Sequence, residues 1–134
     1  MSDRPILCVD FDGVLHSYAS GWKGARRIPD PPVPGAIEWL VSLIPCPDMI
    51  GIGDRGKFQV MIYSSRSRYW GGRGAMRKWL LKHGLPPEWL DEIKFPTKKP
   101  PAFLTIDDRA MTFTGSFPSV AEMIAFQPWN KKEP

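Results

Sequence analysis

Cysteine and histidine are scarce in this chain of 134 residues, which contains two of each. Cys8 lies in an apolar segment, Cys46 lies between two prolines, and no Cys-x-x-Cys spacing occurs. This pattern argues against a disulfide framework and against a metal site built from cysteine and histidine. We therefore expect two reduced, structural thiols in a cytoplasmic protein.

Long apolar runs are also missing, since none approaches the 18 residues that a membrane-spanning helix needs. Residues 1–4 lead directly into an apolar strand, so we expect no signal peptide. The formal net charge of +4 mildly favours anionic partners but is too small to identify a nucleic-acid binder. The length predicts one domain over residues 1–134.

Apolar segments of two periodicities alternate along the chain. Strands are predicted over 5–10, 58–63 and 102–106, with 93–95 as a short candidate. Helices are predicted over 35–44, from the glycine-rich stretch 71–74 to about 82, in one turn at 86–90, and from the capping box at Ser119 to about 126. Residues 13–31 are interpreted as a loop or flap, 45–57 as a loop and 127–134 as a tail. This alternation predicts an α/β fold with a mostly parallel central sheet.

Polar side chains follow three of the predicted strands, where ligands bind in open α/β sheets. These are Asp10 and Asp12 after the first strand, Ser64, Ser65 and Arg66 after the second, and Asp107 and Asp108 after the last. Four carboxylates converging on one sheet edge need a cation, and oxygen ligands favour Mg²⁺. The last acidic pair, taken alone, is also compatible with a solvated turn.

Such a site has a definite chemistry. A carboxylate can attack phosphorus to form an aspartyl-phosphate, and a second carboxyl can protonate the leaving oxygen and later activate water. Ser64 can donate a hydrogen bond to a phosphoryl oxygen. Lys98 and Lys99, which precede the last strand, can offset the negative charge.

The motif set resembles that of the haloacid dehalogenase superfamily of phosphohydrolases over about residues 5–110. The matching motifs are Asp10-Phe11-Asp12-Gly13-Val14, Ser64 after an apolar strand, Lys99, and Asp107-Asp108 after an apolar strand. The resemblance implies a three-layer Rossmann-like fold and a Mg²⁺-dependent phosphomonoester hydrolase. The intervals between motifs leave no room for a cap domain. A capless, open site suits bulky esters, and a nucleotide or a nucleic-acid terminal phosphate is the preferred substrate class.

The resemblance also implies a role for each motif residue. Asp10 would be the nucleophile and Asp12 the general acid/base. Mg²⁺ would be held by the Asp10 side chain, the Asp12 main-chain carbonyl and one or both of Asp107 and Asp108. Ser64 and Lys99 would hold the phosphoryl group, with Lys98 competing for the role of Lys99. Gly13 would let the chain turn, and Gly13, Ser65, Arg66 and Lys98 complete the predicted substrate-binding set.

Two readings remain open for the residues around this set. Arg66, Arg68 and Arg73, with Tyr69 and Trp70, form either a phosphate- or nucleic-acid-facing patch or a solvated helix start with Trp70 over the core. His16 either contacts a leaving group or stabilises the flap.

The alternative to an enzyme is a non-catalytic module that binds Mg²⁺ and phosphate. A phospho-receiver domain is disfavoured because the middle strand ends in Ser64.

Overall fold

The central strand of the sheet is an apolar segment that is buried along most of its length. The computed structural model describes residues 4–45 and 55–131. Strand β1 (Ile6–Val9) lies between β2 (Gln59–Ile62) and β3 (Leu104–Ile106), and both pairings are parallel. A continuous apolar sequence is typical of a strand flanked on both sides in a parallel sheet. The predicted α/β class with a parallel sheet is confirmed.

The helices begin and end close to the predicted residues. They are α1 (Ala36–Leu43), α2 (Gly72–Lys82), α3 (Pro87–Leu90) and α4 (Val120–Ile124), with 3-10 helices at Ser65–Arg68 and Trp129–Lys131. Gly84 adopts a φ of 104° after α2, and the Gly84 and Leu85 amides donate to the Leu81 and Leu80 carbonyls. This pairing ends the helix in a Schellman motif. The predicted capping box of Ser119 with Glu122 is present at α4.

One hydrophobic cluster holds the sheet and the two longer helices together. Alternate residues of β1 and β2 point into it, and α1 and α2 contribute their apolar stripes. The cluster includes Leu7, Val9, Val60, Ile62, Ile37, Leu40, Met76, Trp79 and Leu80, all buried. Trp79 is therefore a core residue, whereas Trp39 is 36% exposed.

Some predicted features differ in the structure. Residues 93–95 form no strand: Lys94 makes a single parallel bridge with Met61. Helix α4 has no buried residue, so α4 lies outside the core. Cys8 is a buried free thiol, while Cys46 and most of the predicted 45–57 loop lie outside the described residues. Within the described ranges, no helix has both the length and the apolarity to cross a membrane.

Candidate active site

The strand order brings three strand ends to one edge of the sheet. Because β1 lies in the middle, Asp10 at its carboxyl end has β2 and Ser64 on one side and β3 and Asp107 on the other. The Asp10 amide donates to the Ile106 carbonyl at 2.9 Å, which extends the parallel ladder to the start of the site. Topology alone therefore places residues more than 50 positions apart beside one another.

Asp10, Asp107 and Asp108 form an acidic cluster, with one oxygen from each carboxyl group within 4.8 Å of the others. The Phe11 amide donates to Asp10 Oδ1 at 2.8 Å, and the Arg109 amide donates to Asp107 Oδ1 at 2.9 Å. Asp107 is exposed, and the other two are half-buried. Three hard oxygen donors at this spacing fit a divalent cation such as Mg²⁺.

Electrostatics shows how unfavourable this cluster is without a cation. Burial raises the pKa of Asp10 from its ordinary 3.8 to about 8, the charges of Asp107 and Asp108 add to the rise, and the Phe11 amide opposes it. Burial also raises the pKa of Asp108, which shares a hydrogen bond with Asp10. Near neutral pH, therefore, the metal-free cluster holds a proton between Asp10 and Asp108.

A cavity of about 300 Å³ opens beside the cluster, and we call it the Asp10 cavity. Five of its lining residues were predicted for the site from the sequence: Asp10, Ser64, Ser65, Lys99 and Asp107. The remaining lining residues are Cys8, Tyr63, Thr105 and Arg109. Lys98 does not line the cavity. Tyr63 and Thr105 were missed because their positions in or next to strands look purely structural in the sequence.

Ser64 is 3% exposed and caps the 3-10 helix that follows β2. Its Oγ accepts a hydrogen bond from the Arg66 amide at 3.0 Å. The hydroxyl proton donates in none of the hydrogen bonds found among the described residues, so it is available to an acceptor in the cavity. Capping and phosphate binding are thus compatible roles for one hydroxyl.

Asp12 lies outside the acidic cluster. Its carboxylate is held instead by two neighbours: Arg66 Nε lies 3.0 and 3.1 Å from the two oxygens, and His16 Nδ1 lies 2.8 Å from Oδ1. The Asp12 side chain is 13% exposed, while those of His16 and Arg66 are fully buried. Asp12 is therefore oriented by the protein toward the flap.

The hydrogen bonds of His16 assign its tautomer. The Asp30 amide, which can only donate, lies 3.1 Å from Nε2, so Nε2 accepts and Nδ1 carries the proton that is donated to Asp12. Asp30 in turn accepts from the amide and hydroxyl of Ser20 at 2.8 and 2.6 Å. His16 therefore connects Asp12 to the far end of the flap, and this geometry matches its flap-stabilising interpretation.

Arg66, assigned to substrate binding from the sequence, is fully buried in the structure. Its Nη1 donates to the carbonyls of Gly24, Ala25 and Arg27 at 2.8 to 3.0 Å, and its guanidinium carbon lies 4.9 Å from the centre of the Trp22 ring. Arg66 thus joins the flap to Asp12, and it is not among the residues that line the Asp10 cavity. No sequence signal distinguishes it from the exposed Arg68 two residues later.

Gly13 lies directly against Asp108 of the last motif. Its φ is +82°, and a Cβ atom built on it would lie 2.1 Å from Asp108 Oδ2. Trp129 from the C-terminal 3-10 helix donates through Nε1 to the Gly13 carbonyl at 2.8 Å. No sequence pattern predicts this contact, which holds the turn after β1.

Replacing Gly13 with alanine should displace Asp108 from the cluster. We expect Mg²⁺ binding, measured by titration calorimetry, to weaken by at least about tenfold, and the free energy of unfolding to fall by about 1–3 kcal/mol because of the left-handed φ. Gly21→Ala is the matched control, since Gly21 has a φ of +75° with nothing within 4 Å of its Cβ position. Equal Mg²⁺ affinity in both variants would contradict this account.

Comparisons of the chain with protein-family models, with curated proteins and with solved structures gave no match. The geometry of the site itself is therefore the basis for assigning a function. That site unites Asp10, Ser64, Lys99 and Asp107 at one cavity, and it adds Asp108 through the acidic cluster.

Proposed function

We propose that this protein is a Mg²⁺-dependent phosphomonoester hydrolase that acts through an aspartyl-phosphate on Asp10. We further propose that it is a capless member of the haloacid dehalogenase superfamily with a three-layer Rossmann-like fold. We also propose that it is located in the cytoplasm. The observation that carries the proposal is the Asp10 cavity, where a carboxylate, a capping hydroxyl and a lysine surround a space large enough for a phosphoryl group. A structural role alone would not need these three chemistries at one cavity.

Each residue of the site has a distinct task in this proposal. An oxygen of Asp10 attacks phosphorus, the bond from phosphorus to the ester oxygen breaks, and the leaving oxygen takes a proton. Ser64 and Lys99 stabilise the negative charge that develops on the phosphoryl oxygens. Water then attacks the aspartyl-phosphate, which releases inorganic phosphate and restores Asp10. The Phe11 amide, bonded to Asp10 Oδ1, orients the nucleophile throughout.

Mg²⁺ would be held by Asp10, Asp107 and Asp108, and it supplies charge neutralisation that lets a carboxylate approach a phosphate. Asp12 is the candidate acid and base, and it lies two residues from the nucleophile. To serve the leaving oxygen it must exchange one of its bonds to His16 or Arg66 for a bond to substrate. Those two bonds hold Asp12 near the site in the absence of substrate.

A binding module without turnover is the second candidate, and a specific observation favours it. The Asp12 carboxylate is already occupied by Arg66 and His16, and the acidic cluster forms without it. Such a module would bind Mg²⁺ through Asp10, Asp107 and Asp108, hold phosphate through that cation, Ser64 and Lys99, and release no product. Measuring phosphate release separates the two candidates directly.

The test is a panel of nucleotides, sugar phosphates and terminally phosphorylated oligonucleotides, assayed with Mg²⁺ and with EDTA. We expect inorganic phosphate to be released only with Mg²⁺. Lys99→Met should lower kcat/KM about 100-fold, as the loss of one charge-stabilising group does. Its neighbour provides the control: Lys98→Met should change kcat/KM by no more than about twofold.

One result would count against hydrolysis, and another would count against the role of Lys99. Measurable Mg²⁺ binding with no phosphate release from any ester would favour the binding module. Equal losses in the Lys98 and Lys99 variants would show that the cavity geometry does not decide which lysine acts.

A further inference from the structure

Two clefts lie on either side of Trp70, which lines both together with Gly71 and Gly74. The first, of about 460 Å³, includes Arg26, Lys78 and Lys82. The second, of about 410 Å³, includes Arg68, Arg73 and Arg77. We call them the basic clefts. Neither cleft is lined by an aspartate or glutamate. The six cationic side chains therefore form a continuous, positively charged surface.

Helix α2 supplies four of these cations and has no acidic residue along its length. Among the described residues, none of the six forms an ion pair with a carboxylate. Two of them are nevertheless held in place at Phe95: Arg73 Nη1 donates to its carbonyl at 3.1 Å, and the Arg77 guanidinium lies 4.8 Å from its ring centre. Their charges are oriented by the fold but not neutralised by it, which favours a polyanionic ligand.

Aromatic rings stand between the cations. Trp70 is 86% exposed, which rules out the alternative that it covers the core, and Arg26 lies 5.3 Å from its ring centre. Tyr69 is 46% exposed beside it. An exposed ring flanked by cations suits an unpaired base stacked on the ring with its phosphates on the Arg and Lys side chains. Paired bases do not offer their faces in this way, so a single strand fits better than a duplex.

The basic clefts adjoin the Asp10 cavity through the 3-10 helix after β2. Ser65 lines the Asp10 cavity, while Ser67 and Arg68 line the second basic cleft. A 3-10 helix rises about 2 Å per residue, so Ser65 and Arg68 are separated by roughly 6 Å along its axis. This is about two base steps of a stacked strand.

We propose that the basic clefts bind single-stranded nucleic acid and deliver its terminal phosphate to the Asp10 cavity. The delivery step depends on the proposed phosphohydrolase function, whereas binding to the clefts does not. The phosphates would lie along Arg68, Arg73 and Lys78, and a base near the end of the strand would stack on Trp70. The clefts thereby select the macromolecule, and the Asp10 cavity performs the chemistry on its end.

Binding is tested by fluorescence anisotropy on the whole protein in EDTA, with short DNA and RNA oligonucleotides, single-stranded and duplex. We expect preference for single strands and a slope of log K against log salt of about −2 to −4, for three to six phosphates contacted. Trp70→Ala should weaken binding by about 5- to 100-fold. The double variant Lys78→Gln with Lys82→Gln should reduce the slope by about 1.4.

Matched controls come from outside the clefts. Trp39→Ala removes another partly exposed tryptophan, and Lys94→Gln removes another exposed lysine. Both should bind oligonucleotide as the unmodified protein does. Unchanged affinity and salt slope in the Trp70 and lysine variants would overturn the proposal, as would equal binding of single strands, duplex and heparin.

Turnover assays distinguish delivery of nucleic acid by the basic clefts from the phosphohydrolase function on which delivery depends. Trp70→Ala should hydrolyse p-nitrophenyl phosphate normally while losing kcat/KM on a phosphorylated oligonucleotide. Hydrolysis of both substrates with no effect of Trp70→Ala would refute delivery and leave the phosphohydrolase intact. Trp70-dependent binding with no hydrolysis of any ester would support the clefts as a binding surface and refute the phosphohydrolase.

Discussion

Replacing Arg66 with alanine is expected to lower the free energy of unfolding by about 3–5 kcal/mol, which is the cost of breaking a buried ion pair from one side. Arg66 is fully buried, holds Asp12 through Nε and binds three flap carbonyls through Nη1. The variant leaves those carbonyls without the Arg66 donor and leaves the Asp12 carboxylate with His16 alone. A domain of ordinary stability, about 5–15 kcal/mol, would lose a large share of it.

Urea denaturation measures this loss, and amide hydrogen exchange locates it. We expect residues 17–30 to lose protection first, because Arg66 joins them to the 3-10 helix after β2. Arg68→Ala is the matched control: among the described residues, the hydrogen bond and the ring contact of this exposed side chain are both with Tyr69, so its removal should change stability by no more than about 0.5 kcal/mol. An Arg66 variant within about 1 kcal/mol of the unmodified protein would show that the flap is held by other contacts.

The fold was predictable from the sequence where a pattern repeats along it. Apolar segments with distinct periodicities predicted β1, β2 and α2 to within about one residue of their ends. Because parallel strands end at a common edge, Asp10, Ser64, Ser65 and Asp107 converge as expected on the Asp10 cavity, whereas Asp12 and Arg66 do not line it. The period of the apolar residues and the direction in which each strand runs are local properties of a chain, so both can be inferred directly from its sequence.

The partners of individual side chains were much less predictable. Arg66 and Arg68 stand two residues apart in a polar segment, yet the first is fully buried and the second exposed. The difference arises because the flap supplies carbonyls from residues about 40 positions away, and no local pattern encodes that approach. The four-residue spacing of Asp12 and His16 across a tight turn was the one available signal for their hydrogen bond.

Replacing Asp10 with asparagine is expected to abolish phosphate release and to stabilise the metal-free protein. The pKa of Asp10 is raised to about 8 in the folded state from 3.8, so folding binds its proton more tightly. The stability that this tighter proton binding contributes to the folded protein is fully present below about pH 4 and is lost as pH rises through about 8. Asparagine stays neutral throughout, so the variant should gain up to about 5 kcal/mol at pH 8 and little at pH 4.

Mg²⁺ should reverse this order at pH 8. Binding to the ionised cluster stabilises the unmodified protein in proportion to the logarithm of ligand concentration, while the asparagine variant lacks one of three ligands and responds weakly. Thermal unfolding at pH 4 and pH 8, with Mg²⁺ and with EDTA, measures both effects. Lower stability of the variant at pH 8 in EDTA would contradict the raised pKa, and retained phosphate release would refute Asp10 as nucleophile.

Asp12→Asn provides the control, since it removes a carboxylate charge two residues away, at a position where the carboxylate is not part of the acidic cluster. Asp12 is paired with buried Arg66, so its neutralisation should destabilise the protein by about 3–5 kcal/mol instead of stabilising it. Both variants should lose phosphate release, but their stabilities should change in opposite directions at pH 8 in EDTA. Changes of opposite sign in the free energy of unfolding would distinguish the two carboxyl groups. Asp10 would be a carboxyl that needs a cation to be stable when ionised, and Asp12 one that is already paired within the protein.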